Sequence, residues 1–515
     1  MSEIEENLLN HKYTIVLKED SGRIKYKNNK VILLLSNEYI HIIDYNNFIN
    51  KKLIKEIKKV ELEGIIGSNY EFKNRNDKYY TMKIFSYNYD KKSSLFKSSN
   101  ENRRKREILS VDFINVSQNI CEIWKNAIYH MAYNNYSDKC VHNYDHSDIE
   151  LVLDTKTEIF DNKQFQTPPN RKRYIVFVNP VSGSGIAQKI WKKKVLPIFK
   201  EAGVEYLEVI TSYANHAKNF MYNGKVDSSF INSNVNLFEY YDVIVTIGGD
   251  GLICEIINGI MDRTDGLEIL KKVWIAPING GTGNGLVKSV LFSNHEEYTI
   301  INSTINALKG KGSPMDISEV NTSTLKKYHS FLSLSWGLVS DIDILSEKMR
   351  SMGELRLYIA AVYFILKRKF YKGRLSIYTG NKDNFSIDKV PPLNVPIGNN
   401  NDWKVIESNF SLVWVLQTSH ASGTMLSGPG KRFDDGEFMI LVVQNISRLG
   451  LLELLLTFDT GGHVNHPSVQ VFKTVAYRLE PLCQDGIFSL DGEKIEYNPV
   501  QSIIHNGIAN ICTKK

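Results

Sequence analysis

Apolar residues recur along this chain with two different periods, and the change of period marks out its regions. Between Lys12 and Asn134, runs rich in β-branched and aromatic residues stand between polar turns: "KYTIVL", "KVILLL", "EYIHIIDY", "YYTMKIFSY" and "EILSVDFI". Such runs predict strands. The stretch "NVSQNICEIWKNAIYHMAYN" changes to helical spacing, with Ile120, Ile123, Trp124, Ile128 and Met131 on one stripe. A polar segment over residues 136–172, ending in "QTPPNRK", buries little surface and reads as a linker, so a first domain is expected over residues 10–135. Strands and helices then alternate through "RYIVFVNP", "GIAQKIWKKKVLPIFKEAG", "VEYLEVITSY", "YDVIVTIGG", a helix from Leu252, and "VWIAPIN". Alternation of that kind predicts a largely parallel sheet with crossover helices over residues 173–314. Strands dominate again in residues 315–515, as in "HSFLSLSWGLV", "FSLVWVLQ", "EFMILVVQ" and "TVAYRLEP". Two helices are expected there, one through "SEKMRSMGELRLYIAAVYFILKRKF" and a shorter one through "LGLLELLLTF". Residues 380–409 are rich in turn formers and predict a surface insertion. The expected fold class is α/β plus β: an α/β lobe, a β-rich, sandwich-like lobe, and a β domain ahead of both.

Several strands closed by one tryptophan-bearing helix resemble, in architecture, a pleckstrin-homology-type module. A small β domain that binds no ligand accounts for the same pattern. Bulk properties narrow the rest. A length of 515 residues suits about three domains, and 42% hydrophobic with 23% charged residues is ordinary for a globular protein. A formal charge of +6 is mild at this size, and with no arginine-rich arm or zinc spacing no nucleic-acid partner is expected. The five cysteines are scattered without a C-x-x-C pair, which argues against a disulfide framework or zinc site and suits a reducing compartment. The beginning "MSEIEENLLNHK" has no apolar segment of a signal peptide, and no run reaches the ~18 apolar residues that span a bilayer. A cytoplasmic location with peripheral membrane contact is expected; "ENRRKRE" (101–107) and "KRKFYKGR" (367–374) are candidate contacts with anionic headgroups, or solvated surface.

Three glycine-rich turns fall in the α/β region, each after a strand: "NPVSGSG" (179–185), "GGDG" (248–251) and "NGGTGNG" (279–285). Glycines let backbone approach a ligand closely, and helix N-termini offer unpaired N–H groups to anions. A parallel sheet places all three turns along its carboxyl edge, where such sheets bind ligands. Neither the P-loop pattern nor the dinucleotide fingerprint occurs. An aspartate among glycines disfavours bare phosphate by charge repulsion. Asp250 therefore acts beside the phosphates as a proton acceptor or through a metal, or it only caps its own helix. Glu255, about one turn further on, is a candidate to orient the loop or to stand behind a metal.

These glycine turns, with "GGDGLICEIINGI", resemble the catalytic domain shared by diacylglycerol, ceramide and sphingosine kinases. "SLSWGLVSDIDILSEKMRSMGELRL" (333–357), "AYRLEP" (476–481) and "GIFSLDGE" (486–493) narrow the resemblance to the sphingosine kinase family, over roughly Arg173 to the end of the chain. It implies ATP and Mg²⁺ as cofactors, the metal carried by the phosphates rather than by a direct protein motif, and a sphingoid-base substrate phosphorylated on its primary hydroxyl. Asp250 would be the general base. Asn179, Ser182, Gly249, Gly251, Glu255, Thr282, Gly283 and Asn284 would line the nucleotide. Arg350 and Arg356 would grip phosphate oxygens from one helix face, and Asp491, Gly492 and Glu493 would lie near the nucleotide. Asp343 would meet the ammonium group, with Asp341 beside it on one face of a strand; an exposed acidic turn is the alternative. Leu338, Val339, Ile342, Leu454, Leu455, Phe458 and His463 are candidates for the lipid-tail pocket, or ordinary core. The rivals are a ceramide or diacylglycerol kinase, an NAD kinase sharing "GGDG", and a silent lipid-binding scaffold on the same fold.

Overall fold

The structure is a computed structural model, and it describes residues 14–19, 24–36, 39–44, 56–74, 78–89, 104–114, 116–133, 142–143, 165, 169–224, 236–281, 283–347, 355–399 and 402–514. The chain divides into two compact units: residues 1–171 with 197–204, and residues 172–196 with 205–515.

The first unit is antiparallel. Its strands are β1 (Thr14–Glu19), β2 (Ile24–Tyr26), β3 (Asn29–Ser36), β4 (Tyr39–Asp44), β5 (Glu56–Glu61), β6 (Ile65–Asn74), β7 (Tyr79–Tyr89), β8 (Arg104–Phe113) and the short β9 (His142–Asn143). They run in the order β5-β4-β3-β2-β8-β7-β6, with β1 on β3 and β9 on β1. Helix α1 (Gln118–Ala132) closes the unit by burying Cys121, Ile123, Trp124, Ala127, Ile128 and Met131 in the same core as Leu33, Ile42, Ile84 and Val111. That is the stripe its spacing predicts, although Ile120 stays partly exposed. The described part of the basic run 101–107 lies in β8. There Arg104 turns inward, donating to the Tyr87 carbonyl at 2.9 Å and pairing with Glu63 at 3.0 Å.

The second unit is built on one continuous mixed sheet. Strands β10 (Arg173–Val178), β11 (Glu205–Ile210), β12 (Val243–Gly248) and β13 (Trp274–Asn279) are mutually parallel in the order β11-β10-β12-β13. β12 is buried along its whole length, which is why it reads as an unbroken apolar run. The helix expected at 185–203 forms with a π-helical turn at Trp191–Val195, just before Pro197, whose ring cannot join an α-helical ladder. Helices α2 (His216–Asn223), α3 (Asp250–Met261) and α4 (Gly285–Ser293) follow β11, β12 and β13 respectively. Leu252, Ile253, Ile256, Ile257 and Ile260 of α3 anchor the core of this lobe.

Two long strands, β14 (Lys311–Thr322) and β24 (Val500–Thr513), pair along nearly their whole length, and β24 also pairs in parallel with β13. The two lobes are thus joined edge to edge by backbone hydrogen bonds. Beyond β24 the order continues through β21 (Ala476–Pro481), β17 (Tyr371–Tyr378), β18 (Trp403–Leu416), β16 (Ser333–Gly337), β22 (Phe488–Leu490) and β23 (Glu493–Ile495). β15 (Lys327–Ser330) pairs with β14, and β19 (Phe438–Gln444) links β18 to β20 (Val469–Thr474). β18 starts at Trp403, inside the segment expected as insertion; before it, the buried guanidinium of Arg478 holds the carbonyls of Pro391, Pro392 and Val395.

The helices of this lobe correct the sequence reading. α5 (Leu338–Glu347) begins directly after β16, where Gly337 turns at φ +93°, so the helix starts eight residues before the expected Ser346, and α6 is described over Leu355–Lys367. α7 (Arg448–Leu456) lies against α6: Arg448 Nε donates to the Leu366 carbonyl at 3.1 Å, and Arg368 Nε to the Ile446 carbonyl at 3.0 Å. Among the described residues no helix is long and apolar enough to cross a membrane.

Candidate active site

The three glycine turns meet at the carboxyl ends of β10, β12 and β13, as the parallel register requires. The Asn179 N–H bonds to the Ile247 carbonyl at 3.1 Å, the Gly280 N–H to Gly248 at 3.2 Å, and the Asp250 N–H to Gly283 at 3.3 Å. A Cβ on Gly281 would stand 2.7 Å from the Gly249 backbone nitrogen, so this approach excludes any side chain. Two polar side chains brace the turns from within. Asn179 Oδ1 accepts the Val181 N–H at 3.2 Å, and buried Asn284 donates to the Gly281 carbonyl at 2.6 Å. Half-buried Ser182 lies beside the end of β12, its Oγ 3.4 Å from where a Gly248 Cβ would be. Gly249 and Gly251 are half-buried, Gly283 and Gly492 are exposed, and Thr282 is outside the described residues.

Asp250 is 6% exposed, and it does not cap its own helix, the second of the readings left open above. The cap of α3 is Gly249, whereas the Asp250 carboxylate reaches across to the first turn of α4, accepting from Gly285 N–H at 2.7 Å and Leu286 N–H at 3.3 Å. It therefore caps a helix, but the neighbouring one. Burial pushes its pKa up to about 6; the two N–H bonds oppose that rise, and the charge of Asp491 adds to it. The carboxylate is thus held in place, dehydrated and more basic than usual, at the meeting point of the three turns.

The remaining acids divide by what they touch. Glu255 is taken up by a neighbouring helix, accepting Asn215 N–H at 3.0 Å and Ala217 N–H at 3.1 Å at the start of α2. Asp491 is 3% exposed in a left-handed conformation at φ +51°, and accepts Ser330 Oγ at 2.7 Å, Ser333 N–H at 2.9 Å, Leu332 N–H at 3.0 Å and Phe331 N–H at 3.2 Å. Burial raises its pKa against those four donors. Its carboxylate staples the turn between β15 and β16 rather than facing a ligand. Exposed Glu493 is different: its Oε1 lies 3.1 Å from where a Cβ on Gly251 would stand, over the first turn of α3. Among the described residues, no group of three histidine, cysteine or acidic side chains is placed to hold a metal ion. Arg350 lies outside the described residues, and Arg356 is placed only by its backbone, in the first turn of α6.

The acids of the lipid side do not lie in a strand. Asp341 and Asp343 sit in α5, where residues two apart point about 200° from one another, so they face opposite ways. Asp341, 6% exposed, takes the hydroxyl of buried Tyr371, and burial raises its pKa. Half-buried Asp343 accepts Ser489 Oγ at 2.9 Å from β22. The apolar candidates, by contrast, converge. Leu338, Ile342, Leu454 and Phe458 are buried in one cluster, with Val339 and Leu455 packed against it. The floor of that cluster is one face of the sheet, Leu412, Trp414 and Leu416 of β18 with Met439, Leu441 and Val443 of β19. The alternate residues Val413, Val415, Ile440 and Val442 belong to the core on the opposite face. His463 edges the cluster, its ring tilted 37° to Phe458 at 4.2 Å between centroids, with Nε2 against the Ser427 carbonyl at 2.8 Å; burial lowers its pKa. Sequence reasoning missed Tyr371, Ser330 and Trp414, because none stands in a glycine-rich or acidic motif, and it passed over Ser489 inside "GIFSLDGE" in favour of the acids beside it.

Two family models match the chain, the diacylglycerol kinase catalytic domain over residues 173–320 and a YegS C-terminal NAD kinase beta sandwich-like domain over residues 386–513. Sphingosine kinase 1 of Rattus norvegicus is 31% identical over 361 residues, covering 65% of this chain and 90% of the relative. Sphingosine kinase 1 of Arabidopsis thaliana is also 31% identical, over 62% of this chain and 68% of the relative. A solved structure described as a diacylglycerol kinase from Bacillus anthracis str. Sterne is similar at 16% identity and a TM-score of 0.44, over 67% of this chain and 97% of that one. With the glycine turns, the buried aspartate and the apolar cluster on one mixed sheet, the chain belongs to the sphingosine kinase family.

Proposed function

We infer that this protein is an ATP-dependent kinase that phosphorylates the primary hydroxyl of sphingosine or a related long-chain base. The observation that carries the reading is Asp250, a dehydrated carboxylate of raised pKa fixed where three glycine turns converge. In the proposed step the lipid hydroxyl gives its proton to Asp250 as its oxygen bonds to the terminal phosphorus of ATP. The bond from that phosphorus to the bridging oxygen breaks, and ADP leaves. The backbone N–H groups of the turns and the N-terminus of α3 would meet the phosphates, and an associated Mg²⁺ would neutralise phosphate charge. Gly285 and Leu286 N–H hold the Asp250 carboxylate in its orientation. Arg350 and Arg356 are proposed as phosphate ligands on the strength of the family motif.

Asp343 supports an amine-bearing lipid over a neutral one, since an ammonium ion favours an opposing carboxylate, and Ser489 leaves it half-buried. The cluster beneath α5, α6 and α7 is the proposed seat of the alkyl chain. Membrane contact would use the outer faces of α6 and α7, where Val362 is 55% exposed, Leu366 65%, Leu449 72% and Leu456 72%. Lys367, Arg368, Lys369 and Arg448 stand at the ends of these helices and suit anionic headgroups. The strands and closing helix of the first unit support the pleckstrin-homology-type reading at the level of architecture only. A panel of sphingosine, ceramide and diacylglycerol with radiolabelled ATP tests the reading. Label is expected in sphingosine; label confined to a neutral lipid, or ATP turnover indifferent to lipid, overturns it.

A further inference from the structure

The second half of the motif that begins at Gly248, Asn258 with Gly259, has no part in the chemistry above. Both residues are buried, and they meet different neighbours of α3. A Cβ on Gly259 would stand 2.4 Å from the Lys218 carbonyl oxygen, so α3 packs backbone to backbone on α2 there. Asn258 faces the other lobe and is 7% exposed. Its Nδ2 donates to the His329 carbonyl at 2.8 Å, and its Oδ1 accepts the His329 N–H at 2.9 Å. Nδ2 also meets the Cys254 carbonyl at 2.9 Å, which fixes the amide in plane.

A side-chain amide that both gives and takes with one residue's backbone does what a neighbouring strand would do. α3 needs such a device because a helix has no free backbone groups along its length. β15, which contains His329, ends at Ser330, and the turn from Ser330 to Ser333 is the one that seats the Asp491 carboxylate. One stiff helix thus carries Asp250 in its first turn and, about 12 Å along its axis, a bidentate link to the strand leading into the Asp491 seat. We propose that Asn258 is a positioning residue for phosphoryl transfer, fixing the helix of Asp250 against β15 and so setting the base relative to the Asp491–Glu493 segment.

This rests on the reading of Asp250 as the base. Asp491, from the other lobe, already acts on Asp250 through its charge, and burial is the larger cause of the raised pKa. Loosening the link admits water and separates the two acids, so it lowers that pKa. Asn258→Leu keeps the branched shape, with slightly larger methyl groups, and removes the amide. Asn258→Asp keeps the acceptor for the His329 N–H and sets a carboxylate oxygen against the His329 carbonyl. In the full-length protein, each is measured by thermal melting, kcat and KM with sphingosine, and the pH dependence of kcat/KM, all per folded molecule. The expected result is a kcat at least tenfold lower, a sphingosine KM within twofold of wild type, and an acid limb displaced to lower pH. Wild-type kcat overturns the proposal, as does a loss confined to the amount of folded protein with the acid limb unmoved. Failure of the underlying reading is separate and visible in the same series, as full turnover by Asp250→Asn.

Discussion

The proposed nucleotide side of the second unit is built from backbone, and the proposed lipid side from side chains. At the three turns, the parts that would meet phosphate are N–H groups and glycines, braced by Asn179 and Asn284, and the approach of Gly281 to Gly249 leaves no room for a Cβ. At the lipid side, the wall is Leu338, Ile342, Trp414, Leu454 and Phe458 under three helices, two of which leave leucines in water. A backbone site has few workable sequences, because a Cβ is excluded by a clash at Gly281 and crowded at Gly280, and a left-handed turn favours glycine at Gly183 and Gly185. A side-chain pocket needs only apolar volume of roughly the right shape, and many sequences supply that. Damage to the first should therefore stop the reaction while the fold stands; damage to the second should loosen the fold and the lipid together.

Substitutions sharpen this contrast in order of expected effect. Asp250→Asn removes the proton acceptor and turns one amide N–H toward the Gly285 or Leu286 N–H, so kcat should fall roughly 10²- to 10⁴-fold in a protein that still folds, with a modestly lowered melting temperature; near-wild-type kcat breaks the division at its strongest point. Phe458→Ala opens a cavity beneath α7 and against the His463 ring, and should destabilise the protein by about 3–5 kcal/mol while raising the KM for sphingosine. Thermal unfolding reads the first effect, and a melt like wild type would mean that the cluster is not a load on the fold. Asp343→Asn should raise the sphingosine KM roughly 10- to 100-fold, the loss of one charged hydrogen-bonded partner, with the ATP KM unchanged. Equal effects on both substrates would place Asp343 on the nucleotide side instead.

The smallest test needs no substitution. Asp250 works as a base only when ionised, so kcat/KM should fall about tenfold per pH unit below about 6, the value to which burial raises it. Stability takes the opposite sign for this group. Its folded pKa lies above the unfolded one, so its contribution is complete at acid pH and is lost as pH rises through about 6. Activity and stability of the wild-type protein should therefore diverge near pH 6. A profile flat from pH 5 to 8 would remove Asp250 from the proton transfer.

The sequence by itself determined the strand-to-turn-to-helix rhythm, the three glycine turns and the identity of the acid among them. Each depends on local sterics, where a residue without a side chain or an unbroken apolar run leaves little choice. The apolar candidates do fall in or beside one cluster, whereas the strand expected for Asp341 and Asp343 is a helix, because Gly337 turns the chain there. Tertiary structure alone decided which partner each polar group met. The Asp250 carboxylate binds the start of α4 rather than its own helix, Asp491 closes a turn 158 residues away in the chain at Ser333, and β24 joins both lobes into one sheet. Those pairings join distant segments by hydrogen bonds of common geometry, and any of many residues could have satisfied them. Only the packed chain brings one donor to one acceptor, because burial makes an unpaired polar group too costly to leave alone.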